Sequence, residues 1–150
     1  MNAEWVRLFL LGLPEAVETV QWGDNLVFWV GDKAIGGKMF ALMNMDHGRL
    51  GGGGRAVISY PAGPERYGEL LEIDGVIPAP YLARVYWVAI ERWDVFRRSE
   101  WELELQAAHA MTLAKLPTKT RKVLALSAAE KKRLVTVRRK VLAERAAGKK

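Results

Sequence analysis

Cations are concentrated at the C-terminal end of this sequence, in a pattern that suits the binding of phosphate groups. Residues 115–150 carry 13 Lys or Arg against 2 Glu, whereas residues 1–114 carry 10 against 15 Asp or Glu. Binding to a phosphate backbone requires only that several cations reach it and release its counterions. The candidate nucleic-acid-binding residues are Lys115, Lys119, Arg121, Lys122, Lys131, Lys132, Arg133, Arg138, Arg139 and Lys140. We expect phosphate contacts rather than base readout, because no helix here carries Asn, Gln and Arg at base-reading positions.

The C-terminal segment itself admits three interpretations. Leu134, Val137 and Val141 share one sector of a helical wheel. Arg138 and Arg145 fall within or beside the same sector and interrupt the apolar stripe. A membrane-surface helix needs a cleaner apolar face, so polyanion binding is favoured over membrane binding. The third interpretation is a solvated helix whose three apolar side chains dock on the rest of the protein, while its charges serve solubility.

A second candidate site combines aromatic rings with a cation. Tyr81, Arg84 and Trp87 lie close together in the sequence, on a segment expected to be extended. The rings could stack a planar ligand while Arg84 fixes an anion. The alternative is structural, with Trp87 in the core and Arg84 paired with an acidic residue. Both interpretations stay open from the sequence.

Few residues suit metal binding or covalent catalysis. The chain has no Cys, and its two histidines, His47 and His109, do not have a metal-binding spacing. The glycine run Gly51–Gly54 lacks the Gly-Lys-Ser/Thr ending of a P-loop and joins two β-rich runs, so it predicts a flexible hairpin. No spacing nominates a nucleophile with its base. We therefore expect a non-enzymatic protein without a cofactor or a bound metal.

Apolar periodicity and turn residues predict the elements that position these side chains. A first helix begins after Asn2 and ends before Pro14. Three β-rich runs, from Val17, Asn25 and Lys38, predict an antiparallel meander. The further predicted elements are strands at 55–60 and 85–90, a short helix at 64–71, a long helix with a capping box of Ser99 and Glu102, and a last helix from Ala128 to about Ala146 with a capping box of Ser127 and Glu130.

Four segments resemble the MmcQ/YjbR family in their order: LVFWVG, GGKMFAL, VIPAPYLARVYWVAI and LAKLPTKTR. The similarity covers roughly residues 3–124. It implies a CyaY-like, two-layer α+β fold with helices packed on one face of an antiparallel sheet. It also implies DNA binding, the label usually attached to the family. Four features depart from the family pattern. Asp32–Gly37 is longer than the usual turn, and Ser59-Tyr60 stands where a lysine is expected. His109-Ala110-Met111 replaces a Tyr-containing sequence, and the basic helix after Ser127 is not part of the family core.

These features together predict an α+β domain at 1–126 followed by a basic helical tail at 127–150. The expected function is weak, largely sequence-independent DNA binding through the C-terminal region. The alternative is a small-molecule or protein-interaction module that uses the Tyr81–Trp87 surface. The N-terminal apolar run Val6–Leu13 is far shorter than the roughly 20 residues that span a bilayer. We therefore expect a cytoplasmic protein that does not insert into membranes.

Overall fold

A six-stranded antiparallel sheet with helices on one face forms the fold, as seen in a computed structural model that describes residues 1–21, 23–45 and 56–148. The elements are α1 Ala3–Leu11, β1 Ala16–Gln21, β2 Asn25–Val30, β3 Lys38–Met43, β4 Ile58–Pro61, α2 Tyr67–Leu70, β5 Val76–Pro78, β6 Trp87–Ile90, α3 Arg98–Ala114, α4 Thr118–Leu124 and α5 Ala128–Gly148. The strand order is β1-β2-β3-β4-β6-β5. The predicted α+β class is confirmed. The predicted hairpin at Gly51–Gly54 and the side chain of His47 lie outside the described residues.

The main core lies between the sheet and the helices α1 and α3. Alternation along β2 and β4 directs Phe28, Ile58 and Tyr60 into this layer, where each is at most 1% exposed. Trp101 and Leu105 of α3 meet them from the helical side and are fully buried. Burial of large apolar side chains contributes about 1.5–3 kcal/mol each, so this layer carries most of the fold's stability.

The first helix forms and docks for reasons that are visible in its sequence. The Asn2 side chain accepts a hydrogen bond from the backbone N–H of Trp5 at 2.9 Å, which confirms the predicted start of α1. Arg7 then pairs with Glu18 of β1 through two hydrogen bonds of 2.6 and 2.9 Å. The neighbouring side of α1 buries Val6 and Leu10. The pairing and the buried stripe together fix α1 beside the edge strand β1.

Two element starts differ from the prediction. The strand expected at 85–90 begins only at Trp87, because Tyr86 has a left-handed backbone with φ of 65°. The capping box predicted for α3 is wrong. The helix begins at Arg98, and the Glu100 carboxylate accepts from the Arg97 backbone N–H at 2.9 Å.

Other boundaries also shift, and two elements are additional. Strand β4 spans Ile58–Pro61 rather than 55–60, and α2 is shorter than the predicted helix at 64–71. Strand β5 and helix α4 were not predicted as elements.

The long turn between β2 and β3 receives the C-terminal helices. Gly36 has φ of 90°, and a β-carbon on it would lie 2.3 Å from the Thr120 hydroxyl oxygen. That hydroxyl donates to the Ile35 carbonyl at 2.8 Å. Leu124 approaches Gly31 at the start of the same turn, and α5 contacts the 3-10 turn Lys33–Ile35. The turn between β2 and β3 and the helices α4 and α5 therefore form one contact.

Candidate functional site

Helix α5 is attached to the rest of the protein largely through charged side chains. Its first turn is capped as predicted, since the Ser127 hydroxyl accepts from the Glu130 backbone N–H at 3.2 Å. Lys131 Nζ contacts both oxygens of Glu15, at 2.8 and 3.0 Å. Arg139 pairs with Asp32, whose side chain is only 12% exposed. No described residue of α5 is buried, and the half-buried Val135 lies between these two ion pairs on the side of the helix that faces the body.

The apolar side chains of α5 do not dock as the solvated-helix interpretation expected. Leu134 is 39% exposed and Val137 is 52% exposed, while Val141 is half-buried. The expectation that these residues form a docking stripe is therefore wrong for Leu134 and Val137. The reason is geometric, because the two residues that anchor the helix, Lys131 and Arg139, lie on a different side of it.

The ten predicted nucleic-acid-binding residues divide into two groups. Lys131 and Arg139 form the ion pairs just described, and Arg121 donates to the Ala114 carbonyl at the end of α3. Lys115 lines a cleft beside α3. The other six are exposed and form no ion pair within the described part of the chain; they are called here the C-terminal basic surface: Lys119, Lys122, Lys132, Arg133, Arg138 and Lys140.

The predicted aromatic and cationic surface is split between solvent and core. The Tyr81 side chain is 89% exposed, and Arg84 is exposed on the 3-10 turn that precedes β6. Trp87 is 7% exposed and packs in a small second cluster with Ala79 and Ala89. A ligand surface at these residues stays a prediction, with Tyr81 and Arg84 as its accessible members.

A buried polar network that sequence reasoning missed joins β4, the start of α2, and α3. Glu104 is 6% exposed, and its Oε1 accepts a hydrogen bond of 3.0 Å from the Tyr60 hydroxyl. Its other oxygen accepts from the Arg66 guanidinium. Burial raises the pKa of Tyr60 well above its ordinary value, and the nearby Glu104 carboxylate raises that pKa further. The pKa of Arg66 is raised by its hydrogen bond to Glu104, so both residues keep their protons.

The burial of Glu104 could have been predicted from its position in the sequence. Glu104 lies three residues after Trp101 and four before Ala108, which places it on the buried side of α3. A carboxylate on a buried helix face needs a partner. The partner could not be found by spacing, because Tyr60 precedes Glu104 by 44 residues and meets it only after the sheet and α3 pack.

The comparisons with known proteins can be placed on this geometry. The family model described as YjbR matches residues 11–111. The chain belongs to the YjbR family. The match includes the whole sheet and most of α3, whereas α4 and α5 lie beyond it, so the C-terminal basic surface is outside the matched part of this YjbR protein.

A solved structure agrees with the fold of this YjbR protein. It is the crystal structure of a Deinococcus radiodurans protein with the domain DUF419, with a TM-score of 0.67 and 24% sequence identity. The alignment covers 83% of this chain and 88% of that chain. At this identity the similarity shows the fold alone. No curated protein matches the chain.

Neither a metal-binding cluster nor a membrane-spanning helix is found among the described residues. Across residues 1–21, 23–45 and 56–148, no three His, Asp or Glu side chains come together in a way that could hold a metal ion. Within the same ranges, no helix combines the length and the apolar character needed to cross a bilayer.

Proposed function

We propose that this YjbR protein binds the phosphate backbone of nucleic acid through its C-terminal basic surface, weakly, with little sequence preference and without catalysis. The observation that carries the proposal is the separation of roles among the cations. Lys131 and Arg139 hold α5 on the body, whereas the six cations of the C-terminal basic surface are exposed and form neither an ion pair nor a side-chain hydrogen bond with described residues. A docked helix presents such cations in a fixed arrangement, so less conformational entropy is lost when they bind.

The spacing of the exposed cations suits a phosphate backbone. Arg133 and Lys140 are seven residues apart, which corresponds to about 10.5 Å along the helix axis. Successive phosphates of one duplex strand advance by about 3.4 Å along the DNA axis, so this length of helix can follow several of them. Lys119 and Lys122 of α4 add charge next to the same turn that anchors α5.

The distribution of apolar side chains favours a polyanion over a membrane surface. The exposed apolar residues Leu134, Val137 and Leu142 are interspersed with cations around α5 and do not form one continuous face. A helix that lies in a membrane interface buries a continuous apolar face between the headgroups. Contact with phosphates needs only cations, and these are present on several sides of α5.

The test is fluorescence anisotropy of a labelled DNA duplex of mixed sequence, titrated with protein at salt concentrations from about 50 to 200 mM. The test variant carries Lys132→Gln, Arg133→Gln and Lys140→Gln. If all three cations contact phosphates, the slope of log affinity against log salt becomes shallower by about 2.7 in this variant. Affinity at the lowest salt falls accordingly.

The matched control removes three exposed cations from the body with Arg84→Gln, Arg97→Gln and Arg98→Gln. Both triple variants have the same net charge. The control is expected to keep the salt slope of the unmodified protein, because its cations lie outside the basic surface. If both variants lose the same DNA affinity, the affinity follows overall charge and the basic surface is not the binding site. Undetectable DNA binding by the unmodified protein at low salt would contradict the proposal outright.

A further inference from the structure

A cleft of about 390 Å³ lies between α3 and the segment that follows β4. One wall is a single side of α3, formed by Glu104, Ala107, Met111 and Lys115, and the other wall is the segment 61–66. Glu104 and Lys115 are 11 residues apart, so this wall is about 16 Å long. The volume falls within the roughly 300–1,000 Å³ typical of small-molecule sites.

Two cations and two carboxylates line the cleft, namely Arg66, Lys115, Glu65 and Glu104. Each oxygen of Glu104 accepts one hydrogen bond, one from the Tyr60 hydroxyl and the other from Arg66, so the charge of this carboxylate is balanced within the protein. The Arg66 side chain is 44% exposed, and a guanidinium has five N–H donors, so it can donate further hydrogen bonds. At the other end of the wall, Lys115 is exposed and has no acidic partner among the described residues.

The middle of the cleft is apolar. Ala107 and Met111 form the helical side between the two cations, and Pro61 and Pro64 face them from the opposite wall. Met111 also packs closely on Gly63, where an added β-carbon would lie 2.8 Å from its terminal methyl carbon. A methionine side chain is flexible and adapts to ligands of different shape. The cleft thus combines an adaptable apolar centre with the unpaired cation Lys115 at one end and the Arg66–Glu104 ion pair at the other.

We propose that this cleft binds a small organic carboxylate with an apolar body. The apolar body would lie on Ala107 and Met111, and the carboxylate would accept hydrogen bonds from Lys115 or from the free donors of Arg66. The acidic side chain of Glu65 on the rim disfavours ligands with several negative charges. This site is separate from the C-terminal basic surface, so the two proposals can succeed or fail independently.

The probe is phenylacetate, followed by the NMR signal of the Met111 methyl group and by the melting temperature. Phenylacetate is expected to shift this signal and to raise the melting temperature of the unmodified protein. Ala107→Phe fills the apolar centre and should abolish both effects. Gln106→Phe is the matched control, since it adds the same ring at an exposed neighbouring position that does not line the cleft, and it should keep both effects.

The charge requirement is tested with a second pair of variants and a cationic probe. Lys115→Gln should weaken the affinity for phenylacetate by about two- to five-fold, as expected for one solvent-exposed ion pair, whereas Lys119→Gln should leave it unchanged. Benzylamine, which has a similar ring and the opposite charge, should not shift the Met111 signal. The proposal is overturned if benzylamine binds as well as phenylacetate, if Ala107→Phe still responds, or if phenylacetate leaves the unmodified protein unchanged.

Discussion

The buried Tyr60–Glu104 hydrogen bond is the residue-scale feature with the clearest energetic consequence. Tyr60→Phe removes the donor and leaves one oxygen of the buried Glu104 carboxylate without that partner. Leaving a buried acceptor unsatisfied costs about 1–3 kcal/mol, so we expect the free energy of unfolding in urea to fall by that amount. Tyr81→Phe removes the same hydroxyl from a side chain that is 89% exposed and should change stability by less than about 0.5 kcal/mol. Equal effects of the two substitutions would contradict the assigned role of Tyr60.

The stability difference between the unmodified protein and Tyr60→Phe should also depend on pH. The unfolded chain releases the Tyr60 proton near pH 10, whereas the folded protein retains it because burial raises the pKa of Tyr60. The contribution to stability is therefore complete below about pH 10 and decreases above it, by up to about 1.4 kcal/mol per pH unit. Tyr60→Phe cannot show this decrease. We expect the difference in unfolding free energy between the two proteins to narrow as the pH rises above about 10.

At the scale of elements, the sequence predicted the strands that are defined by their own apolar residues, and it missed the elements that depend on tertiary contacts. Strands β2 and β3 lie at their predicted positions because each has a β-rich apolar run bounded by turn residues. Strand β5 was missed because it has only three residues, ends in Pro78 and exists through its pairing with β6. Helix α4 was missed because its dense cations resemble a solvated segment, whereas its Thr120 is 3% exposed against the β2–β3 turn.

In the candidate sites, too, local sequence predicted exposure but not contacts between distant segments. The exposure of Lys132 and Arg133 could be predicted from charge density alone, whereas the engagement of Lys131 by Glu15 could not. That ion pair depends on where α5 meets the body, more than a hundred residues after Glu15 in the sequence. Predicting it would require the docking geometry of α5, which no local spacing contains.

The docking of α5 can be tested by exchanging the charges of one ion pair. Lys131→Glu places two carboxylates opposite each other, since Lys131 Nζ lies 2.8 Å from Glu15 in the native pair. Since α5 has no buried residue, this ion pair is one of few contacts that hold it, and amide hydrogen exchange in the helix should accelerate when the pair is lost. An exposed or half-buried pair contributes up to about 1 kcal/mol, which corresponds to roughly five-fold faster exchange when opening limits it.

Restoration by the reversed pair distinguishes docking from general charge effects. Adding Glu15→Lys to Lys131→Glu should return the exchange rates toward those of the native protein. Lys132→Glu makes the same charge change at a neighbouring exposed position with no described ion pair, and it should alter the exchange rates much less. If the reversed pair exchanges as fast as Lys131→Glu alone, the Glu15 contact does not hold α5 in solution.

At the scale of the whole molecule, acidic and basic residues are concentrated in different segments of the chain, and folding pairs a few of them. The segment 1–114 has an acidic excess, and 115–150 is strongly basic. In the folded protein, Lys131 and Arg139 pair with acidic side chains of the body, while the six cations of the C-terminal basic surface stay exposed. The protein therefore has an acidic body and a basic C-terminal end. This charge asymmetry would orient the C-terminal helices toward a polyanion.

The predicted boundary between a folded domain at 1–126 and a tail at 127–150 can be tested by truncation. The core includes Leu116 and the partly buried Leu124, but no buried residue of α5. A chain ending at 126 loses two ion pairs of up to about 1 kcal/mol each, so its free energy of unfolding in urea should fall by less than about 2 kcal/mol. A chain ending at 116 also loses Leu124 beside Gly31 and the Thr120 hydrogen bond to Ile35, and it should be clearly less stable. If the chain ending at 126 fails to fold, α5 is an integral part of the domain and the boundary lies elsewhere.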